Sequence, residues 1–143
     1  MKKIVIFGAT GNVGAYVHKY ACEYFKGKYE VIASGHRQTD FFEKQGQKYV
    51  SVDISNPEEF DKLPQDDVYA VIDLAAQIPS YMKGYQPEKY VKSNIMGAYN
   101  VLEYCRKVHA DRILFSTTVF DISLSATNGA VLKPDMPYNF SYK

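Results

Sequence analysis

In the stretch "IVIFGATGNVG", Gly8, Gly11 and Gly14 fall directly after an apolar run and across the start of a helical pattern. That placement suits chemistry with an anion. Gly8 allows a tight turn, Gly11 lets the backbone approach a pyrophosphate, and Gly14 permits close helix–sheet contact, while the helix N-terminus offers free N–H groups. The expected ligand is a dinucleotide. About 20 positions beyond such a turn, at the end of the second strand, an acidic residue normally holds the adenosine ribose of NAD. Here the sequence reads Ser34, Gly35, His36, Arg37, with no carboxylate. Arg37 suits a 2′-phosphate, which favours NADP, while Asp40 lies close enough to leave NAD open. Cys22 and Cys105 are far apart, each in an expected helix, with no metal-ligand spacing around them. They read as reduced, buried thiols, and no metal is expected.

The elements that must position these residues alternate in kind. "KIVIF" (3–7), "YEVIAS" (29–34), "KYVSVD" (48–53), "VYAVIDLAA" (68–76) and "RILFST" (112–117) read as strands. Between the first two, Val13, Val17, Tyr20, Ala21 and Tyr24 form a helical stripe. "TDFFEKQG" reads as a short helix from a Thr39 cap to Gly46, and "SNPEEFDKL" opens with a polar cap and Pro57 at the first helical position. A longer helix, about Pro87 to His109, places Tyr90, Asn94, Gly97 and Val101 on one stripe beside Val91, Ile95, Ala98, Leu102 and Cys105. Strands joined by crossover helices must pair in parallel, and a nearly continuous apolar strand such as "VYAVIDLAA" is covered on both faces. The predicted fold is α/β, a Rossmann-type doubly wound parallel sheet.

The 143 residues, with 17 basic and 16 acidic side chains, describe one ordinary globular domain. Lysines are scattered among acids, so neither nucleic acid nor a membrane surface is expected as a partner, and small molecules are. The apolar run near the start stops at Gly8, too short for a signal-peptide core, and points to a cytoplasmic protein.

Four segments, taken in order, resemble the extended branch of the short-chain dehydrogenase/reductase superfamily, the NAD(P)-dependent epimerase/dehydratase family. "GATGNVG" resembles its cofactor turn, "VSVDIS" its strand-end Asp, "VIDLAA" its strand ending in paired alanines, and "SNIMGAYNVLEYC" its Asn-x-x-Gly-x-x-Asn helix. The resemblance runs to about Phe120. It implies cofactor contacts from Gly8, Thr10, Gly11 and Gly14 in the turn, and from the backbones of Asn12 and Val13 to the diphosphate. By the same carry-over, Asp53 and Ile54 meet the adenine, Leu74, Ala75 and Ala76 the ribose and nicotinamide region, and Asn94 the active-site end of the long helix.

The segment "RILFSTTVFD" resembles the family strand that ends in a Ser/Thr pair before an aromatic residue. Aligned from Arg112, the pair is Thr117 and Thr118, with Thr118 the reactive hydroxyl; anchored on Val119 and Phe120, that role moves to Ser116. Thr118 is the preferred candidate. The family's proton-transfer pair is a tyrosine followed four positions later by a lysine, which places both on one helix face. Tyr138 has Tyr142 four residues on, and Lys143 has Asn139 four before it, so neither makes the pair. Tyr142 remains a candidate first half. The resemblance therefore implies the N-terminal, cofactor-binding part of a longer oxidoreductase, epimerase or dehydratase, inactive alone, whose substrate lobe lies elsewhere. An exposed last strand would invite self-association into a homo-oligomer. The alternative is a non-catalytic NAD(P)-binding redox-sensor or regulatory module.

Overall fold

A computed structural model of the chain describes residues 1–78, 84, 86–117, 131 and 133–136. Five strands, β1 (Lys3–Phe7), β2 (Glu30–Gly35), β3 (Lys48–Ser51), β4 (Val68–Asp73) and β5 (Arg112–Phe115), form one sheet in the order β3-β2-β1-β4-β5. Every pairing is parallel. The fold is the predicted Rossmann-type α/β sheet. Strand order reverses between β1 and β4, and in such sheets the crevice outside the carboxyl ends at that point receives ligands.

The alternation along β1 divides the core in two. Val5 and Phe7 pack with Val71, Phe60, Val101 and Tyr104 on one face, whereas Ile4 and Ile6 pack with Ala21, Ala33 and Phe42 on the other. Helix α1 (Asn12–Tyr24) covers the second face. Its contact stripe differs from the predicted one. Gly14, His18 and Ala21 are buried, with Val17 partly so, while Val13, Tyr20 and Tyr24 are 65%, 66% and 68% exposed. Gly14 sets the rotation, because a Cβ there would stand 2.1 Å from the Gly8 carbonyl oxygen. The residues at one and two turns beyond it must then face inward. His18 is buried edge-on against Phe42, and burial lowers its imidazole pKa.

Other boundaries shift for local reasons. The expected strand 68–76 ends at Asp73, where the Asp73 carboxylate accepts from the Ala75 N–H at 3.0 Å and draws the backbone out of the ladder. The expected helix 39–46 shrinks to a 3₁₀ turn at Glu43–Gln45, since the chain bends to insert Phe42 against Tyr49, ring to ring at 5.0 Å. A second 3₁₀ segment, Pro57–Lys62, begins as the polar cap predicts, with the Asn56 side chain accepting from the Glu58 N–H. Helix α2 (Pro87–Tyr90) runs into a π-helical segment (Val91–Gly97) and then α3 (Ala98–Lys107). Gly97, Asn100, Val101 and Tyr104 face the core, and Val91, Ile95 and Leu102 are exposed. Strand β5 forms the sheet edge, with Ile113, Leu114 and Phe115 all exposed. Among the described residues no helix is long and apolar enough to cross a membrane.

Candidate functional site

The turn between β1 and α1 is built by close backbone contacts. Gly8 holds φ +76°, a conformation that favours glycine, and a Cβ on it would lie 2.8 Å from the Leu74 carbonyl carbon. The Gly11 N–H donates to the Gly8 carbonyl at 2.9 Å, closing the turn. Gly11 is also the N-cap of α1, and it supplies no side-chain cap, so the first-turn N–H groups of Asn12, Val13 and Gly14 stay available to an anion. A Cβ on Gly11 would stand 3.3 Å from the Gly8 oxygen, a tight contact, and without that side chain the helix terminus presents an open backbone cradle to the cavity.

Above the turn lies a cavity of about 520 Å³, within the range of about 300–1,000 Å³ usual for small-molecule sites. Gly8, Thr10 and Gly11 line one side, and Arg37 lines it from the end of β2. Asp53 and Ile54 follow from the end of β3, and Leu74, Ala75 and Ala76 from the end of β4. Nine predicted residues from separate segments thus meet at one cavity. Asn12, Val13 and Gly14 do not line it and sit behind Gly11 in the first turn of α1.

Three hydrogen-bonded supports fix this rim. The Tyr49 hydroxyl lies between the carbonyls of Gly35 and Arg37, which anchors the backbone carrying Arg37. The Asp53 carboxylate accepts from the Ser55 N–H at 2.9 Å and the Ser55 hydroxyl at 2.8 Å, and the Asp53 N–H donates to Glu59. Asn94 follows the cavity-lining Lys92 and Ser93 on the long helix. It does not line the cavity; its side chain accepts from the Gln77 N–H at 2.8 Å and donates to the Gln77 carbonyl at 3.0 Å. Asn94 therefore holds the segment after β4.

Several contributors escaped the sequence reading. Gly35 allows Thr10 to press against the end of β2, since a Cβ there would be 2.9 Å from Thr10 Oγ1. Asn100 is buried and donates to the Ile54 carbonyl at 2.8 Å, supporting the far side of the cavity. Its place in the Asn-x-x-Gly-x-x-Asn pattern was the available signal. Asp73 is 2% exposed, and burial pushes its carboxyl above the usual range against the opposing pull of the Ala75 N–H. Lys89, Lys92 and Ser93 also line the cavity. Both cysteines are half-buried and free, and the Cys105 thiol is pushed up to about 11 by burial and by the Asp73 carboxylate. Thr118 and Tyr142, the candidate catalytic residues, lie outside the described residues, whereas Ser116 lies just past β5 and donates its N–H to the Asp73 carbonyl at 3.1 Å. Among the described residues no group of His, Cys, Asp or Glu side chains could hold a metal ion.

Comparison with known proteins decides the family. Residues 4–141 match the family described as "NAD dependent epimerase/dehydratase family". The chain belongs to that family. The UDP-glucose 4-epimerase of Thermus thermophilus, solved as a complex with NAD, superposes with a TM-score of 0.75 at 21% identity, over 96% of this chain and 44% of that one. A UDP-glucuronic acid 4-epimerase mutant from Bacillus cereus, solved with a fluorinated UDP-sugar and NAD, gives 0.73 at 25% identity, over 96% and 46%. An uncharacterized protein of Methanocaldococcus jannaschii is 19% identical over 129 residues, covering 82% of this chain and 40% of that protein. The chain thus spans less than half the length of each of these relatives. Membership places the cavity in a family described as NAD-dependent, and the open Gly11 cradle with its uncapped helix terminus fits the diphosphate of such a cofactor.

Proposed function

We propose that this chain binds a nicotinamide dinucleotide across the carboxyl ends of its strands, as the cofactor-holding part of an NAD(P)-dependent epimerase, dehydratase or reductase. Its substrate would be a nucleotide sugar or a related small molecule with a hydroxyl or carbonyl group. One observation carries this reading: the Gly8–Gly11 turn, the Asp53–Ile54 strand end and the Leu74–Ala76 strand end border a single cavity. The Thermus and Bacillus relatives, a UDP-glucose 4-epimerase and a UDP-glucuronic acid 4-epimerase, support the substrate class. A cytoplasmic location, where Cys22 and Cys105 remain thiols, belongs to the same proposal.

In this reading the α1 N-terminus holds the diphosphate, Asp53 and Ile54 border the adenine, and the backbone of Leu74, Ala75 and Ala76 borders the ribose and nicotinamide. The bound dinucleotide supplies hydride acceptance and return. Thr118 would hold the substrate oxygen, and Tyr142 is the candidate for proton transfer. Preference for NADP rests on Arg37, which lines the cavity while Asp40 is occupied by Lys44 at 2.7 Å.

Calorimetric titration with NAD, NADH, NADP and NADPH tests the reading. Binding is expected with the wild-type chain, and Gly11→Val should abolish it while leaving most of the fold, because the added side chain fills the cradle. Unchanged affinity would overturn the glycine-turn assignment. Arg37→Ala should weaken NADP more than NAD by about 1–3 kcal/mol, the scale of a charge-assisted contact. Equal losses would remove the NADP preference.

A further inference from the structure

Lys89 and Lys92 stand three residues apart on the helical side of the cavity, Lys89 in α2 and Lys92 as the second residue of the π-helical segment. The backbone that carries them is fixed at two points of the cavity rim. Asn94 grips both backbone groups of Gln77, and Gly97 lies so close to Ile54 that a Cβ would be 2.6 Å from the Ile54 Cδ1. A π turn is rare and frequently sits at functional positions. Within it Lys92 and Ser93 line the cavity while Asn94 reaches Gln77.

The charge lining the cavity is unbalanced. Among the described residues that line it, Arg37, Lys89 and Lys92 are cationic and Asp53 is the single carboxylate, already accepting two hydrogen bonds from Ser55. Among the described residues no ion pair engages Arg37, Lys89 or Lys92, so their charges are not offset by a neighbouring carboxylate. A partly enclosed space lined this way concentrates a polyanion.

We propose that Lys89 and Lys92 receive the diphosphate of the bound dinucleotide from the helical wall, so that it lies between the N–H groups of the α1 terminus and two ammonium groups. This rests on the dinucleotide reading above. The two sides are complementary in kind. Backbone N–H groups are rigid and directional, while ammonium groups on long stems act as adjustable point charges. The pair would therefore set affinity and its salt dependence, with orientation left to the turn.

The test compares wild type with the K89Q/K92Q double variant, titrated with NAD and with ADP-ribose at low and high salt. Both side chains are exposed, so the thermal midpoint should not change. Both ligands should bind about tenfold more weakly at low salt, the combined scale of two partly screened phosphate contacts, and the salt dependence should flatten. K89R/K92R should restore most of the affinity. Lys19→Gln, an equal charge loss at an exposed α1 position outside the cavity, should change neither ligand. Wild-type affinity and salt dependence in K89Q/K92Q would overturn the proposal, as would a loss confined to NAD, which would place the lysines at the nicotinamide half instead. Absence of dinucleotide binding by the wild-type chain would overturn the underlying reading and this one with it.

Discussion

The two walls of the cavity are made of different material. The glycine turn is a backbone wall, in which Gly8 rests on the Leu74 and Ala75 main chain and Gly14 on Gly8, with room for nothing larger. The helical wall is made of side chains: Asn94 on Gln77, Asn100 on the Ile54 carbonyl, and Lys89 and Lys92 toward the interior. A backbone wall restricts residue type at each position, so it leaves a pattern in sequence. A side-chain wall depends on how the helix winds, and many sequences share its composition.

The sharpest way to break this contrast is Gly14→Ala. The new Cβ would stand 2.1 Å from a carbonyl oxygen and 2.7 Å from its carbon, atoms of the main chain that cannot rotate away. A loss on the order of 3 kcal/mol is expected, at the upper end for overpacking, with dinucleotide binding lost as well. Urea unfolding followed by circular dichroism measures it. A wild-type midpoint would mean that the turn yields easily and that the wall is not set by backbone contact.

On the helical wall the expected effects are smaller and unequal. Asn100→Ala leaves the Ile54 carbonyl without its buried partner and should cost about 1–3 kcal/mol. Asn94→Ala removes an exposed clamp and should cost less than about 1 kcal/mol, while loosening the Gln77 rim enough to weaken dinucleotide binding. Equal destabilisation by the two would deny that one asparagine serves the core and the other the site. The same urea midpoints, with a calorimetric titration of each variant, decide between these outcomes.

The same contrast explains what the sequence disclosed. The buried strands β1 and β2 were legible because a doubly covered parallel strand must be continuously apolar, as "KIVIF" is, and the edge strands β3 and β5 because they too are short runs rich in apolar and aromatic residues. The Gly8, Gly11 and Gly14 turn was legible because close approach excludes every other residue. The facing of α1 was not, since Tyr20 and Tyr24 satisfy a hydrophobic period as well as Ala21 does, and the buried His18 falls outside any apolar count. Winding of Val91–Gly97 was also hidden: an α-helical projection puts Asn94 on the inner stripe and cannot foresee the π turn that sends it to Gln77. Lys89 and Lys92 carry no mark that separates them from solvated lysines until the cavity is in view.

Asp73 joins the two walls and gives the smallest expected effect. It lies beside Phe7 in the sheet, and its carboxylate holds the Ala75 N–H in the segment on which Gly8 rests. Among the described residues its second oxygen has no hydrogen-bond partner, and the Cys105 thiol on α3 is pushed up in part by its charge. Burial raises the folded-state pKa above the unfolded value near 4, so the folded protein holds this proton more tightly. Stability is then lowered as pH rises through the window between the two values, and the penalty is absent below about pH 4. Asp73→Asn keeps an acceptor for Ala75 and removes the charge, so it should melt above wild type at neutral pH, with the gap closing as pH falls into the carboxylate range. Asp73→Leu removes the acceptor and should melt below Asp73→Asn at every pH. A gap between wild type and Asp73→Asn that stays constant from neutral to acidic pH would show that the carboxylate is compensated in the fold, and Asp73 would then belong wholly to the backbone wall.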